Sequence, residues 1–145
     1  DTYWSTGPDE NGLGLLLGAT QVVRDHDDHV LGVAAVDLAM QHLIDAYLEI
    51  PELAAAGAEA LLVDRDGRIQ VRSTQKEVAR TARVFVPVVY EEPLVVAGIK
   101  ASDVGHVVVP DGRLALWSAL GRVGLVYVVV GPEPALLDVV RNAAR

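Results

Sequence analysis

The stretch from residue 30 to residue 48 constrains the fold more than any other part of the sequence. Residues 30–36 form an almost unbroken apolar run, as in a strand that is buried on both faces. Asp37 ends that run, and its carboxylate can accept hydrogen bonds from the free N–H groups at the start of a helix. Apolar residues then recur at three- and four-residue steps until Pro51, which cannot continue a helix. The pattern predicts a strand followed at once by a helix of about residues 37–50, with Asp37 as its N-cap.

Turn sequences divide much of the remaining chain into antiparallel hairpins. Residues 59–72 carry an Asp-Gly pair between an apolar arm and an alternating arm, which is typical of a tight hairpin. Residues 107–118 repeat this arrangement around Pro-Asp-Gly. Another hairpin is predicted to join residues 13–24 to residues 30–36 through the charged turn at residues 25–29.

Apolar runs and helix breakers predict the other elements. They are a short helix around residues 76–80, strands at 84–90, 94–99 and 123–130, and a terminal helix at 133–143. Pro87 restricts its strand to an edge or a bulge, because proline has no N–H for the ladder. Gly131-Pro132 is expected to break the last strand. Since helices do not separate successive strands, the order predicts an α+β fold with a central antiparallel sheet and flanking helices.

Composition excludes several classes of protein. A formal net charge of −8 argues against a nucleic-acid partner, which requires clustered Lys and Arg. Without cysteine, the chain can form neither disulfides nor Cys-ligated zinc sites. No apolar run reaches the ~18 residues that a membrane-spanning helix needs. The 145 residues, 51% of them hydrophobic, are enough for one domain with a substantial core.

No catalytic signature is present in the sequence. Gly-x-Ser-x-Gly, phosphate loops, His-Glu-x-x-His and dinucleotide fingerprints are all missing. Residues 25–29 (Asp-His-Asp-Asp-His) are the one dense cluster of metal-ligand types, but polar residues are expected in such a turn, and a solvated turn is favoured. We therefore expect a protein that is not an enzyme and that has no cofactor and no metal.

Two stretches carry a resemblance to a known family. Residues 13–25 (LGLLLGATQVVRD) and 31–38 (LGVAAVDL) resemble the second half of a Cache-type sensor module. Such modules are PAS-like extracytoplasmic domains of bacterial chemoreceptors and sensor kinases. Residues 60–69 (ALLVDRDGRI) resemble the opening hairpin of the next, membrane-proximal module, and residues 117–145 resemble its last strands and exit helix. The resemblance implies a PAS-like fold, with residues 1–37 as a remnant of a membrane-distal module and 38–145 as the membrane-proximal module.

The resemblance also implies candidate ligand-binding residues. Asp37 matches a strand-end aspartate that can hold a ligand ammonium group, with helix capping as the alternative. Tyr3 and Trp4 resemble an aromatic entry that lines such pockets, with edge packing as the alternative. A proximal pocket would be lined by aromatic and imidazole side chains, namely Tyr90, His106, Trp117 and Tyr127. Ordinary core packing is the alternative for this second group.

The resemblance implies the extracytoplasmic sensing domain of a bacterial transmembrane receptor. Its ligand would be a small molecule such as an amino acid or a short carboxylate, and the terminal helix would pass on the signal. Because the sequence starts at Asp1 without Met, we interpret it as a piece of a longer protein tethered to the membrane by flanking segments. The sequence leaves the oligomeric state open, and a homodimer is one of the alternatives. The alternative is a cytoplasmic roadblock- or profilin-like scaffold that pairs with itself or a GTPase, since LLVDRDGR at 61–68 also suits the opening hairpin of those folds.

Overall fold

The computed structural model of the protein describes residues 2–9, 12, 14–82 and 86–143. The fold is α+β, with two antiparallel sheets and several short helices. The first sheet contains β1 (Thr2–Pro8), β2 (Leu15–Arg24) and β3 (Val30–Ala39) in that order. The second sheet has the order β5-β4-β8-β7-β6, and its strands are β4 (Glu59–Asp64), β5 (Ile69–Arg72), β6 (Val104–Val108), β7 (Arg113–Ala119) and β8 (Leu125–Pro132).

Within the described residues, five α-helices connect or flank these strands. They are α1 (Met40–Leu43), which continues as a π-helical turn (Ile44–Leu48), and then α2 (Pro51–Ala55), α3 (Lys76–Thr81), α4 (Pro93–Ala101) and α5 (Glu133–Ala143). The predicted hairpins at 59–72 and 107–118, the short helix near 76–80 and the terminal helix are confirmed. Each of them follows from local turn chemistry or a local apolar pattern.

The five-stranded sheet buries both of its faces. On one side, α4 packs over the sheet through Val95, Val96 and Ile99, which share a core with strand residues such as Leu61 and Val128. On the other side, the helical segment 40–48 packs, as predicted, against β4, β5 and β8. The last strand, β8, lies between β4 and β7 and contributes to both cores. The central antiparallel sheet is thus confirmed.

The predicted long helix at 37–50 is wrong at its start and in its length. Asp37 lies inside β3, where it pairs with Gly18, and therefore does not cap a helix. The ladder between β2 and β3 continues to the pair Leu16 and Ala39, so that the residues directly after Asp37 remain in the sheet and do not begin a helix. The helix begins only at Met40, without a side-chain cap. A carboxylate after an apolar run was compatible with both outcomes, and strand pairing decided between them.

Two predicted strands are not strands. Residues 94–99 belong to α4, which Pro93 begins. A short apolar run fits a buried helix as well as a strand, and the proline at the first helical position was the signal that favours a helix. In the predicted strand at 84–90, residues 86–90 are irregular apart from one bridge between Val89 and Arg68, and residues 84 and 85 lie outside the described residues.

The first hairpin forms, but it does not extend the main sheet. Its strands join β1 in a separate three-stranded sheet, and residue 13, where the first arm was expected to begin, lies outside the described residues. Leu15 and Leu17 pack into the core around the helical segment 40–48. The expectation that Gly131-Pro132 breaks the last strand is also wrong, since β8 runs to Pro132 and Gly131 pairs with Leu114.

Candidate functional site

The two faces of the three-stranded sheet have different surroundings. Trp4, Thr6, Leu15 and Leu17 lie on the face that packs toward the rest of the protein. Because directly paired residues share a face, the opposite face contains Tyr3, Ser5, Gly18, Thr20 and Asp37. We refer to this second set as the open face. Tyr3 is 70% exposed there, and Ser5 and Asp37 are exposed as well.

A row of three residues crosses the centre of the open face. Gly18 pairs with Ser5 on one side and with Asp37 on the other. A methyl group on Gly18 would lie 2.9 Å from Oδ1 of Asp37 and 3.1 Å from Oγ of Ser5. The carboxylate and the hydroxyl therefore lean over the glycine, which is buried beneath them. A side chain at position 18 would push these two groups away.

The chemistry of the open face suits a cation. A carboxylate accepts hydrogen bonds, and the hydroxyl of Ser5 adds a second acceptor beside it. Tyr3 and Thr20 form the next pair along the ladder and bring a phenol and a further hydroxyl to the same face. Among the described residues, Asp37 makes no ion pair, and its negative charge is available to a ligand ammonium group.

Trp4 is not part of the open face. Its indole Nε1 donates a hydrogen bond to the carbonyl oxygen of Val123, in the turn before β8. Its ring packs against the core that contains Leu15 and Leu17. The structure thus brings Tyr3 and Asp37 to one face of the sheet and places Trp4 on the other, where it joins the sheet to the rest of the protein.

The four predicted residues of a proximal pocket are divided between the two sides of the five-stranded sheet. Tyr90 and Trp117 lie in the core under α4, where they are 3% and 7% exposed. His106 is exposed on the other side of β6, and Tyr127 packs with the helical segment 40–48. The structure therefore brings only Tyr90 and Trp117 of this group into one cluster.

The indole of Trp117 fills the space between α4 and β6. A methyl group on Gly98 or on Gly105 would lie 2.4 Å or 2.3 Å from the ring. Nε1 of Trp117 donates to the carbonyl oxygen of Ser102 at 3.1 Å, which satisfies the one polar atom of the side chain. Consequently, packed side chains occupy this side of the sheet.

Sequence reasoning missed a network of ion pairs at the end of the five-stranded sheet. Arg72 binds Glu59 at 2.7 Å and Glu91 at 2.6 Å, and its guanidinium lies 5.6 Å from the centre of the Tyr90 ring. The hydrogen bond from Arg72 lowers the pKa of Glu91. Burial, and secondarily the nearby Glu59 and Glu91 carboxylates, raise the pKa of Tyr90 to about 12. The register of the first Asp-Gly hairpin places residues 59 and 72 near each other and was the available signal.

A second pair extends this network toward α4. Arg113 binds Glu92 at 2.7 Å and Asp111 at 2.6 Å. Glu91 and Glu92 directly precede α4, so the two arginines attach the start of this helix to β5 and β7. Because each guanidinium already has two carboxylate partners, the network serves as a structural clamp.

A cleft of about 750 Å³ separates β1 from the turn between β4 and β5. Arg65 and Arg68 line it, and a guanidinium is the group that binds a ligand carboxylate best. Both are already paired, Arg65 with Asp103 and Arg68 with Asp66. The cleft therefore offers a ligand less unpaired charge than the open face does.

The acidic turn between β2 and β3 is explained by its own hydrogen bonds. Oδ1 of Asp25 accepts from the N–H groups of Asp27 at 2.8 Å and His29 at 2.9 Å. These bonds, with that from His29 as the largest cause, lower the pKa of Asp25. The three side chains bring potential ligand atoms within 4.8 Å of one another, in an arrangement that the turn itself requires.

Comparison with known proteins gives matches to solved structures alone. No family model and no curated protein matches the sequence. The extracellular domain of mmHK1S-Z2, described as a histidine kinase, has a TM-score of 0.59 and 18% identity, covering 94% of this chain and 52% of that one. The corresponding domain of mmHK1S-Z3 has a TM-score of 0.60 and 14% identity, with coverage of 98% and 53%. The chain thus shares the fold of these extracellular domains.

A chemoreceptor supports the same conclusion about the fold. The periplasmic sensory domain of Campylobacter jejuni Tlp1 matches with a TM-score of 0.50 and 13% identity, over 86% of this chain and 45% of that one. The predicted Cache-type, PAS-like architecture is thus confirmed as a fold. The chain spans about half the length of the histidine kinase domains that it matches. Within the described ranges, no helix has the length and apolar character required to cross a membrane.

Proposed function

We propose that this chain is the ligand-sensing part of a bacterial transmembrane receptor and lies outside the cytoplasm. The observation that carries the proposal is the row of Ser5, Gly18 and Asp37 on the open face, in a fold shared with extracellular and periplasmic sensory domains. We assign no catalytic role to the chain. The ligand is a small molecule, and the membrane attachment belongs to segments that flank the sequence.

The open face favours a ligand with a primary ammonium group, such as an amino acid. Asp37 pairs with the ammonium group, the hydroxyls of Ser5 and Thr20 accept or donate beside it, and the ring of Tyr3 covers one side of the ligand. In this proposal residues 1–37 belong to a membrane-distal module that binds the ligand, and residues 38–145 form a membrane-proximal module.

The last strand and the terminal helix carry the signal in this proposal. β8 ends at Pro132 and α5 begins at Glu133, so no flexible linker separates them. A methyl group on Gly131 would lie 2.5 Å from Cβ of Ala58, which means that the end of β8 is closely packed. A shift of β8 would therefore move α5. A ligand achieves this only if it binds one position of the strand better than the other.

The test is calorimetric titration of the protein with free L-amino acids, simple primary amines, N-acetylated amino acids and short carboxylates. We expect at least one free amino acid to bind and its N-acetyl form to fail, because acetylation removes the positive charge. Asp37→Asn should weaken this binding at least tenfold, since it removes the charge that pairs with the ammonium group. Asp27→Asn is the matched control, because Asp27 is exposed in the turn of the same sheet and lies off the open face.

Two outcomes would overturn the proposed site. In the first, Asp37→Asn binds the amino acid as tightly as the unmodified protein does. In the second, the N-acetylated ligand binds as well as the free one, which would show that the ammonium group is not recognised. Binding of short carboxylates alone would instead point to the cleft that Arg65 and Arg68 line.

A further inference from the structure

Strand β1 directs alternate side chains to the open face and to the face that packs on the rest of the protein. Tyr3 and Ser5 lie on the open face, and Trp4 lies between them on the other face. Ser5 and Asp37 both pair with Gly18, from the two sides of β2. A single peptide bond therefore separates Ser5, at the proposed ammonium site, from Trp4, which joins this sheet to the rest of the protein.

The indole of Trp4 contacts the segment that leads into β8. Its Nε1 donates a hydrogen bond to the carbonyl oxygen of Val123, the last residue of a short 3₁₀ turn. A methyl group on Gly124 would lie 3.8 Å from the same nitrogen. Strand β8 begins at the next residue, Leu125. A movement of the indole would therefore act directly at the start of β8.

The other two strands of the first sheet are held in place by packing. Leu15 and Leu17 anchor β2, because both are buried in the core around the helical segment 40–48. β3 continues without a linker into that segment, where Met40 and Ile44 are buried in the same core. Neither strand can move far without disturbing this core.

Strand β1 is held less firmly. It is an edge strand, which pairs with β2 alone among the described strands. Between described residues, its side chains make two hydrogen bonds to the five-stranded part of the protein, that of Trp4 and one from the hydroxyl of Thr6 to Oε1 of Gln70 at 3.1 Å. β1 is thus the strand of this sheet that a ligand can displace at the lowest cost.

A ligand bound over Gly18 would act on both edge strands of the sheet. An ammonium group that pairs with Asp37 and donates to the hydroxyl of Ser5 draws β3 and β1 toward each other, because position 18 has no side chain to hold them apart. Since β2 and β3 are anchored in the core, β1 is the strand that responds. The response reaches β8 if the contact between Trp4 and Val123 differs between the two positions of β1.

We propose that Trp4 couples the open face to β8 through its hydrogen bond to Val123. Trp4 is a positioning residue, and the inference rests on the proposed function, in which β8 and α5 carry the signal. It supplies the step between the ligand and β8. The coupling is reciprocal, so that a change in the bond of Trp4 also changes the affinity of the open face for its ligand.

A covalent staple across the open face can replace the ligand in the test. The double variant Ser5→Cys/Asp37→Cys has two thiols and no others, because the natural sequence contains no cysteine. Its two Cα atoms lie about 10 Å apart, on the two strands that flank β2, and m-dibromoxylene can join the thiols across Gly18. The matched control is the same variant with each thiol capped by iodoacetamide. Mass spectrometry distinguishes the closed staple from the capped thiols.

NMR signals of the backbone amides report whether the staple acts on β8. The stapled protein should differ from the capped control in the amide shifts of residues 123–126 and in the indole N–H shift of Trp4. In the Trp4→Phe background, which keeps a ring but lacks the donor, the differences at 123–126 should disappear, whereas those at Gly18 should remain. Thr6→Val removes the other hydrogen bond of β1 and is the matched control background, in which the differences at 123–126 should persist.

Three results would overturn the coupling. The first is a stapled protein whose signals at residues 123–126 match those of the capped control. The second is a set of differences at 123–126 that survives Trp4→Phe. The third is a staple that does not close in the folded protein, since residues 5 and 37 would then not flank Gly18 as described. None of these measurements uses an amino acid, so a failure of amino acids to bind would refute the proposed function and leave the coupling standing.

Discussion

The hydroxyl of Tyr127 donates a hydrogen bond to the backbone carbonyl oxygen of Tyr47 at 3.0 Å. This bond joins the last strand, β8, to the helical segment that follows β3. On the other side of the same sheet, the buried hydroxyl of Tyr90 has no hydrogen-bond partner among the described residues. The two hydroxyls therefore contribute differently to stability, because one is hydrogen-bonded and the other is buried without a partner among the described residues.

We expect Tyr127→Phe and Tyr90→Phe to change stability in opposite directions. Loss of the Tyr127 bond leaves the carbonyl oxygen of Tyr47 without its partner and should lower the free energy of unfolding by about 1 kcal/mol. Removal of the unpaired Tyr90 hydroxyl should leave it unchanged or raise it by up to about 1 kcal/mol. Urea denaturation at pH 7 measures both effects. Equal losses in the two variants would contradict the assignment of Tyr90 as unpartnered.

The Tyr90 hydroxyl should also make the protein sensitive to alkaline pH. Its pKa rises from 10.0 in the unfolded chain to about 12 in the folded protein. The folded state then holds the proton more tightly than the unfolded chain does. The resulting contribution to the free energy of unfolding is present in full below pH 10 and is lost as the pH rises toward 12. Tyr90→Phe should reduce the decline in unfolding free energy between pH 8 and pH 11. Tyr3→Phe, at an exposed position, should decline as the unmodified protein does.

Trp117 should make the two glycines beside it intolerant of a methyl group. Gly98→Ala and Gly105→Ala each place Cβ closer than 3 Å to the indole ring, and overpacking of this kind costs about 1–3 kcal/mol. For Gly98 this loss must outweigh the gain of about 1 kcal/mol that alanine brings within a helix. Gly32→Ala is the control, because nothing lies within 4 Å of the added group. Unfolding free energies that match the control would refute the close packing.

Arg72 should determine part of the acid stability. Arg72→Met leaves the half-buried Glu59 without its main partner, at a cost of about 2 kcal/mol near pH 7. The lowered pKa of Glu91 stabilises the folded protein above its unfolded value of 4.5, and this contribution is lost as the pH falls through the lowered pKa. The variant should thus lose less stability between pH 6 and pH 3. Arg80→Met, which breaks an exposed ion pair with Glu77, should have little effect at either pH.

The junction between β8 and α5 can be tested in a complete receptor that contains this chain. Insertion of four Gly and Ser residues between Pro132 and Glu133 keeps the pairing of Gly131 but uncouples the helix from the strand. Ligand affinity measured by calorimetry should stay within a few-fold, whereas the signalling response should disappear. The same insertion after Asp27 in the β2–β3 turn is the control. A response that survives the first insertion would contradict signal transfer through this junction.

Local features explain why the hairpins and the terminal helix could be predicted. An Asp-Gly pair specifies a tight turn, and the flanking alternation specifies which side chains face inward, with little help from distant residues. Two residues of the open face, Tyr3 and Asp37, were among the candidates that the family resemblance implied. The error on 94–99 has the opposite cause. A run of about six apolar residues fits either a strand or a buried helix, and the packing of Val95 and Ile99 against the sheet decided for the helix.

The sequence by itself determined the turns, the antiparallel hairpins, the terminal helix and the lack of catalytic motifs. Tertiary structure alone decided that Asp37 stays within β3, that the first hairpin joins β1 in a second sheet, and that Trp117 fills the space under α4. It also brought Arg72 to Glu91, nineteen positions away. The physical reason is that turns depend on the conformations of a few neighbouring residues. Strand pairing, burial and ion pairing depend on which distant surfaces meet. These interactions stabilise the chain only once it has folded.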